Sequence, residues 1–546
     1  MKMKKHIIIA ALATSAMFIS CGDKEKKSEG TDNKDNVEEV VSSGFKFENI
    51  VRGMDNPLGA ISISLNQLVE KSGIKDNPEY GPNVGMALGM ASTFGVDLNN
   101  RIFIAANGTD AENMQVYAMT ELTNSSMLAS QIESISRDGI KDFVDGYKIA
   151  KVKDQNAVLI FNDNRILAVF TSNYTKKSEM ESYAKTMLAN AEVVSDKYAQ
   201  FEGFDAMSND LSFVYGLEGV MEMLPEAEKQ KMLDENPKIM EIYKGSEMKG
   251  GLDFLNGKMS ITADYAFPAM ADYNMMSKDA ISSDFASVLT NDKLFAVITA
   301  KYNIAGFAKY IEDFMPAKSE EDASKQKEIM RNISMLSDYL TGEAALSMIE
   351  VPEMDNNKFD DMDIDSQFDA LDMDGDVEIE SEVKENFKKA DFKGVVVALG
   401  VKDEAGLLAV LDTVQEMKKS GNIYEIDNGK VYLAVKNNKL LLSPSMDVIK
   451  EFGDKGILKA SEKAAKYIKP GMNGMFDFEM IAEELASKEG SEEALKVLKM
   501  LKNIEMRGDL KSMKFDLNLK NDSENALKVI VNSIIGAMSG VEEMAI

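Results

Sequence analysis

Apolar residues recur along this chain with two periods. Short runs alternate every second residue, as half-buried strands do, and longer runs return every three or four residues, as helices with one buried face do. The clearest hairpins are Asn156 to Phe170 (NAVLIF-NDN-RILAVF) and Lys430 to Ser443 (KVYLAV-KNN-KLLLS). Each has an Asn-containing turn closed by a basic residue, Arg165 or Lys439, and Asn tolerates the left-handed backbone of tight turns. Upstream, Met114–Met119 leads through Asn124 into a helical pattern over Met127–Ile135. In the same way Val395–Val401 leads through Asp403, an N-cap residue, into Leu407–Met417.

The order of predicted elements then repeats. Ala60–Ser64 runs into an Asn66-capped helix, and Leu294–Ala300 into an Asn303-capped helix, Ile304–Phe314. Leu211–Tyr215 precedes a helical stretch, Gly219–Met232, as Gly474–Phe478 precedes Ile481–Leu501. Two strand-like runs close each half: Ile239–Tyr243 with Lys258–Ala266, and Ile504–Arg507 with Ser512–Leu519. Strands interleaved with amphipathic helices predict an α+β fold with mainly antiparallel sheet, in two tandem copies over residues 45–278 and 279–546. Each copy is long enough to bury its own core.

Two stretches interrupt the symmetry. Gly81, Gly85 and Gly89 lie four apart in GPNVGMALGMASTFG, followed by Gly95; close packing of a helix face against a sheet is the expected use, since the segment is too short to span a bilayer. The second is an acidic insertion at 353–389 that is poor in apolar residues. Within it Asp361, Asp363 and Asp365, and again Asp372, Asp374 and Asp376, stand at alternate positions, as the ligands at the start of a calcium loop do. Neither run has Gly at the sixth position or Glu at the twelfth, so calcium is a candidate ligand beside the simpler reading of a solvated acidic loop. No other cofactor is expected.

The N-terminus adds a location. Lys2, Lys4 and Lys5 precede an apolar run of 13 residues, Ile7–Ile19, then Ser20 and Cys21. This is the order of a secretory signal, too short to span a membrane. We expect residues 1–20 to be a lipoprotein signal peptide, Cys21 to carry lipid such as palmitate, and residues 21–44 to form a polar linker. Phe18 stands where a Leu is usual.

Composition narrows the chemistry. The only Cys is Cys21 and the only His is His6, so a processed chain keeps neither an imidazole nor a free thiol. That excludes Ser-His-Asp and Cys-His nucleophilic catalysis, zinc sites built on His or Cys, and disulfides. The net charge of −29 grows more negative once the three lysines of the signal are lost, which argues against nucleic-acid partners. Asp477 and Glu479 are expected on one face of a short strand; an exposed acidic face is the simpler reading, an acid/base pair the sharper one. Ser182/Lys185 and Ser324/Lys327 match S-x-x-K, and Arg507-Gly508-Asp509 an integrin-type tripeptide, both without supporting context.

The opening strand–helix, Ala60-Ile-Ser-Ile-Ser-Leu-Asn-Gln-Leu-Val-Glu-Lys-Ser-Gly-Ile74, on a lipoprotein of this layout resembles the uncharacterised Bacteroidota lipoprotein family catalogued as domain of unknown function 4836. That resemblance implies attachment to the outer membrane of a Gram-negative envelope and no assigned activity. The sequence is therefore read as a non-enzymatic binding or interaction module, held at the membrane by its lipid, with an envelope or host protein or glycan as partner. The alternatives are a carboxylate-dependent hydrolase or carbohydrate-active enzyme, and a ligand- or ion-capturing component of an uptake system.

Overall fold

A computed structural model describes residues 45–544 apart from 315–334, 349–393 and 487–496, and short breaks at 111–112, 154, 173–178, 194–196, 272, 290–293, 336, 415–416, 427–428 and 459–461. Cys21 and the six aspartates from Asp361 to Asp376 lie outside the described residues. The chain is mixed α/β with extensive antiparallel sheet. It divides into two compact units, one running through Glu226 and including Glu247–Asp253, the other formed by Ala227–Ser246 and the chain from Phe254.

In the first unit the strands are β1 (Pro57–Ile63), β2 (Ile102–Asn107), β3 (Gln115–Glu121), β4 (Lys141–Asp142), β5 (Lys148–Lys151), β6 (Ala157–Phe161), β7 (Arg165–Thr171), β8 (Leu211–Gly216) and β9 (Glu247–Leu255). They lie in the order β4-β5-β6-β7-β3-β2-β1-β8-β9. The two-residue period gives this sheet two apolar faces. On one, Tyr117, Met119, Val158, Ile160, Leu167 and Val169 pack against helices α1 (Phe47–Arg52) and α5 (Met180–Ala191). Fully burying a side chain such as Ile160 or Leu167 contributes about 1.5–3 kcal/mol. The α1 helix is buried along its whole length, and Asp205 accepts hydrogen bonds from its first amides, Phe47 N at 2.7 Å and Glu48 N at 2.9 Å. On the other face Ala118, Leu159, Phe161 and Ala168 meet α4 (Ser125–Ile135) through Leu128 and Ile132. Between the first two strands run α2 (Leu65–Ser72) and α3 (Gly81–Thr93).

The second unit contains β10 (Lys258–Ala266), β11 (Ala296–Lys301), β12 (Leu340–Met348), β13 (Val395–Val401), β14 (Lys418–Ser420), β15 (Ile423–Ile426), β16 (Val431–Lys436), β17 (Lys439–Ser443), β18 (Met472–Asp477), β19 (Leu501–Gly508) and β20 (Ser512–Leu519). Their order is β14-β15-β16-β17-β13-β12-β11-β18-β19-β20-β10. One face packs Val297, Ala398, Ala434 and Leu441 against Phe285 and against Ile449 and Phe452 of the helix Met446–Lys455. The other packs Val401, Leu433 and Leu440 against Leu407 and Leu411 of the helix Glu404–Leu411.

Several local expectations hold. Asn124 caps α4 through Ser126 N and Met127 N, Asp403 caps its helix through Gly406 N, and Asn303 accepts from Gly306 N. Both predicted hairpins form, by different turn chemistry. Asn437 and Asn438 are left-handed (φ 53° and 56°), whereas Asn162 Oδ1 accepts from Asn164 N and Arg165 N at 2.9 and 3.0 Å.

Others are corrected. Ile239–Tyr243 is a helix, because its apolar residues fall on one helical side of a five-residue turn; the strand partner is Glu247–Leu255 instead. Asn66 lies inside α2, whose N-cap is Ser64, and its amide donates to Asn99. The Gly219–Met232 stretch is two helices, Leu217–Glu222 and Glu226–Glu235, parted at Pro225. Asp477 ends β18 and Glu479 lies in the first turn of the helix that begins at Phe478: Asp477 Oδ1 accepts from Glu479 N and Met480 N, so the two acids are cap and first turn rather than neighbours on a strand face. Arg507 and Gly508 end β19 and Asp509 opens the β19–β20 turn, its Oδ1 accepting from Lys511 N and Ser512 N.

Candidate functional site

The second face of the first unit's sheet is incompletely filled. Between it and helices α2, α3 and α4 lies a pocket of about 320 Å³. Its floor is Ile102 on β2, Ala118 and Thr120 on β3, Ile166, Ala168 and Phe170 on β7, and Leu159 on β6. Its roof is made by two stripes with the same helical spacing: Val84, Ala87, Leu88 and Ala91 on α3, and Leu128, Gln131, Ile132 and Ile135 on α4. The opening arises from small residues placed opposite one another. Ala118 and Ala168 are directly paired across β3 and β7, and Ala87 and Ala91 face them from the same pocket's roof.

No titratable side chain lines this pocket. Its polar members are Thr120 and Gln131, and Thr120 Oγ1 is a buried hydroxyl with no hydrogen-bond partner among the described residues. A hydroxyl left so costs about 1–3 kcal/mol unless something meets it.

The covering helix is unusual for this chain. Gly81–Thr93 carries no charge, whereas charged residues make up 28% of the sequence. Gly81 is pressed against the backbone of Lys75, where a Cβ would sit 2.3 Å from the carbonyl oxygen. Gly85 and Gly89 instead have no atom within 4 Å of a Cβ built on them, and Met86 is 62% exposed. The expected glycine packing against a sheet is thus wrong for these two; they face away from the pocket. Each weakens the helix by about 1 kcal/mol relative to Ala.

A second, polar pocket of about 220 Å³ lies on the α1–α5 side of the same unit, bordered by Asp55, Asn107, Asn113, Gln115, Tyr117 and Tyr183. Its amides largely satisfy one another: Asn107 Nδ2 donates to Gln115 Oε1 at 2.7 Å, and Asn107 Oδ1 accepts from Asn56 N at 2.9 Å. Burial raises the Tyr117 pKa, and burial together with a hydrogen bond to Glu179 pushes Tyr183 up to about 12, so both stay protonated.

Asp55 apart, the charged groups with the most enclosed partners lie outside the walls of both cavities. Arg101 is enclosed by the hydroxyls of Ser62, Ser64 and Ser212, and burial lowers its pKa; nearby Lys71 bonds Asp210 at 2.6 Å. Asp205 is pushed up to about 6, by burial and then by the neighbouring Glu48 carboxylate, against the two α1 amides and Lys46. These contacts hold elements together. Of the S-x-x-K pairs, Ser182 and Lys185 lie on α5, while Ser324 and Lys327 fall outside the described residues.

Among the described residues there is no group of three or more His, Cys, Asp or Glu placed to hold a metal, and no helix long and apolar enough to cross a membrane. The missed signal in the sequence was the pair of single alanines, Ala118 and Ala168, which meet only through strand pairing. Comparison with protein-family models, with curated proteins and with solved structures gives no match.

Proposed function

We propose that the protein is a non-enzymatic, lipid-anchored binding module of the outer membrane, tethered through Cys21 and acting by capture rather than by turnover. The observation that carries this reading is the apolar pocket, a preformed concave site of a size that small ligands use, walled without a titratable side chain. The signal-like N-terminus and the resemblance noted for Ala60–Ile74 support the envelope location.

We further infer that the two units are tandem copies of one ancestral unit. Strand order supports this: the series β4-β5-β6-β7-β3-β2-β1-β8-β9 is answered by β14-β15-β16-β17-β13-β12-β11-β18-β19. So do side chains at matched positions: four and eight residues after the capping Asn124 come the buried Leu128 and Ile132, and four and eight after the capping Asp403 come the buried Leu407 and Leu411.

The test is to purify the lipidated protein from its own envelope with crosslinking and to identify both co-purifying molecules and crosslinked partners. A defined ligand or neighbour recovered at near stoichiometric yield is expected. Turnover of a substrate by the purified chain, abolished by replacing one carboxylate, would overturn the reading.

A further inference from the structure

Resting on the capture reading above, we propose that the apolar pocket of the first unit takes one neutral acyl chain. Two observations converge. The floor runs across four neighbouring strands, from Ile102 on β2 over β3 and β7 to Leu159 on β6. At ~4.8 Å per strand that is roughly 14 Å, room for an extended hydrocarbon chain within about 320 Å³. The walls are apolar and uncharged, so a free carboxylate inside would lose its hydration and find no cation, while an ester loses little.

The second unit provides the control. Leu122 N bonds Asn164 O at the end of the first hairpin, as Val401 N bonds Asn438 O at the end of the second, which puts the two sheets in register. On that register the pair Ala118–Ala168 corresponds to Val397–Leu442, and Thr120 to Leu399. The same strand positions thus accept larger aliphatic side chains, and the substitutions Ala118→Val, Ala168→Leu and Thr120→Leu are ones a sheet of this pairing already carries.

The experiment uses the chain from residue 21 onward with Cys21→Ser, so that its own lipid does not compete, titrated calorimetrically with 1-monolauroylglycerol below its aggregation concentration. One saturable site per chain is expected. Affinity should fall at least tenfold in the Ala118→Val/Ala168→Leu variant, with circular dichroism and thermal melting confirming that it folds. Should the double variant fail to fold, Ala87→Leu on the partly exposed covering helix fills the same space and should lower affinity likewise. Absence of saturable binding, binding that survives the filling variants, or laurate binding as tightly as the ester would overturn the proposal. In any of those cases a partner recovered from the envelope would leave the capture reading standing.

Discussion

The two units use one strand order to opposite ends on the face that meets α4 in the first and the helix Glu404–Leu411 in the second. In the first, a cross-strand pair of alanines lies beneath a helix whose pocket-facing residues include Ala87 and Ala91, and space remains. In the second, Val397 pairs with Leu442 and Leu399 with Leu440, and among the described residues Leu399 and Leu442 pack with Leu407, Leu411 and Tyr424 in one cluster. Neither backbone pairing nor helix capping distinguishes them. A few methylene groups do: interiors pack to crystal-like density, so removing side-chain volume from paired positions leaves a void that neighbours fill only in part.

The largest expected effects probe that packing directly. Leu128 and Leu407 occupy matched positions after their helix caps, and Leu407 is fully buried while Leu128 borders the pocket. Leu407→Ala should destabilise the second unit by about 3–4 kcal/mol, the range for a closed aliphatic core. Leu128→Ala should cost about 2 kcal/mol, because its side chain already lacks contacts on the pocket side. Amide hydrogen exchange of β13 against β3 measures the two separately. Equal losses would mean the face above the pocket is as tightly packed as its counterpart.

The units also differ in how one carboxylate in each is treated. Asp205, which caps α1, is raised to about 6 by burial and by Glu48. Burial also acts to raise Asp284, but hydrogen bonds from Lys439 and Ser282 outweigh it and hold its pKa below the usual value. A raised folded-state pKa means that protonation favours the fold. The first unit should therefore gain stability as pH falls from about 6 toward 3.8, by at most about 3 kcal/mol for a shift of that size. The second unit's lowered carboxylate acts in the opposite sense: its contribution is present at neutral pH and lost as acid titrates it. Urea unfolding followed by exchange at pH 7 and pH 5, with Asp205→Asn as control, checks the sign. A first unit that weakens between pH 7 and pH 5 would contradict the assignment, since the loss carried by Asp284 belongs to pH below 3.8.

The capping residues Asn124, Asp403 and Asn303 and the two hairpins were legible in the sequence because each rests on contacts within a few residues. Asn124, Asp403 and Asn303 act on amides two or three positions away. What failed depended on distance or on competition. Ile239–Tyr243 has β-rich composition yet five residues suit either state, and its tertiary setting makes it helix. The spacing of Gly85 and Gly89 suggested a close approach, but spacing gives a face without saying what lies opposite. The pocket was invisible for the same reason: Ala118 and Ala168 are 50 positions apart and become neighbours only when β3 pairs with β7.

Those glycines supply a third test. Since nothing lies within 4 Å of a Cβ at Gly85 or Gly89, alanine fits there without strain. Gly85→Ala with Gly89→Ala should stiffen α3 by up to about 2 kcal/mol in total. Protection of the α3 amides should rise, and release of a bound acyl chain should slow in proportion. Unchanged protection would show that α3 is already held by its packing.

The smallest expected effects concern the two hairpin turns. Asn437 and Asn438 both adopt a left-handed backbone, which costs a residue with a Cβ about 1–2 kcal/mol and a glycine little. Asn437 also donates to Gly456 O at 3.2 Å and is best kept. Asn438→Gly should stabilise the second hairpin by up to about 1 kcal/mol. Asn162 does its work through its side chain, which accepts from Asn164 N and Arg165 N. Asn162→Ala should therefore cost the first hairpin about 1 kcal/mol, by leaving those amides to water. Thermal melting of the two single variants reads the opposite signs. If both weaken the protein equally, the turns share one chemistry and the difference in their backbone is incidental.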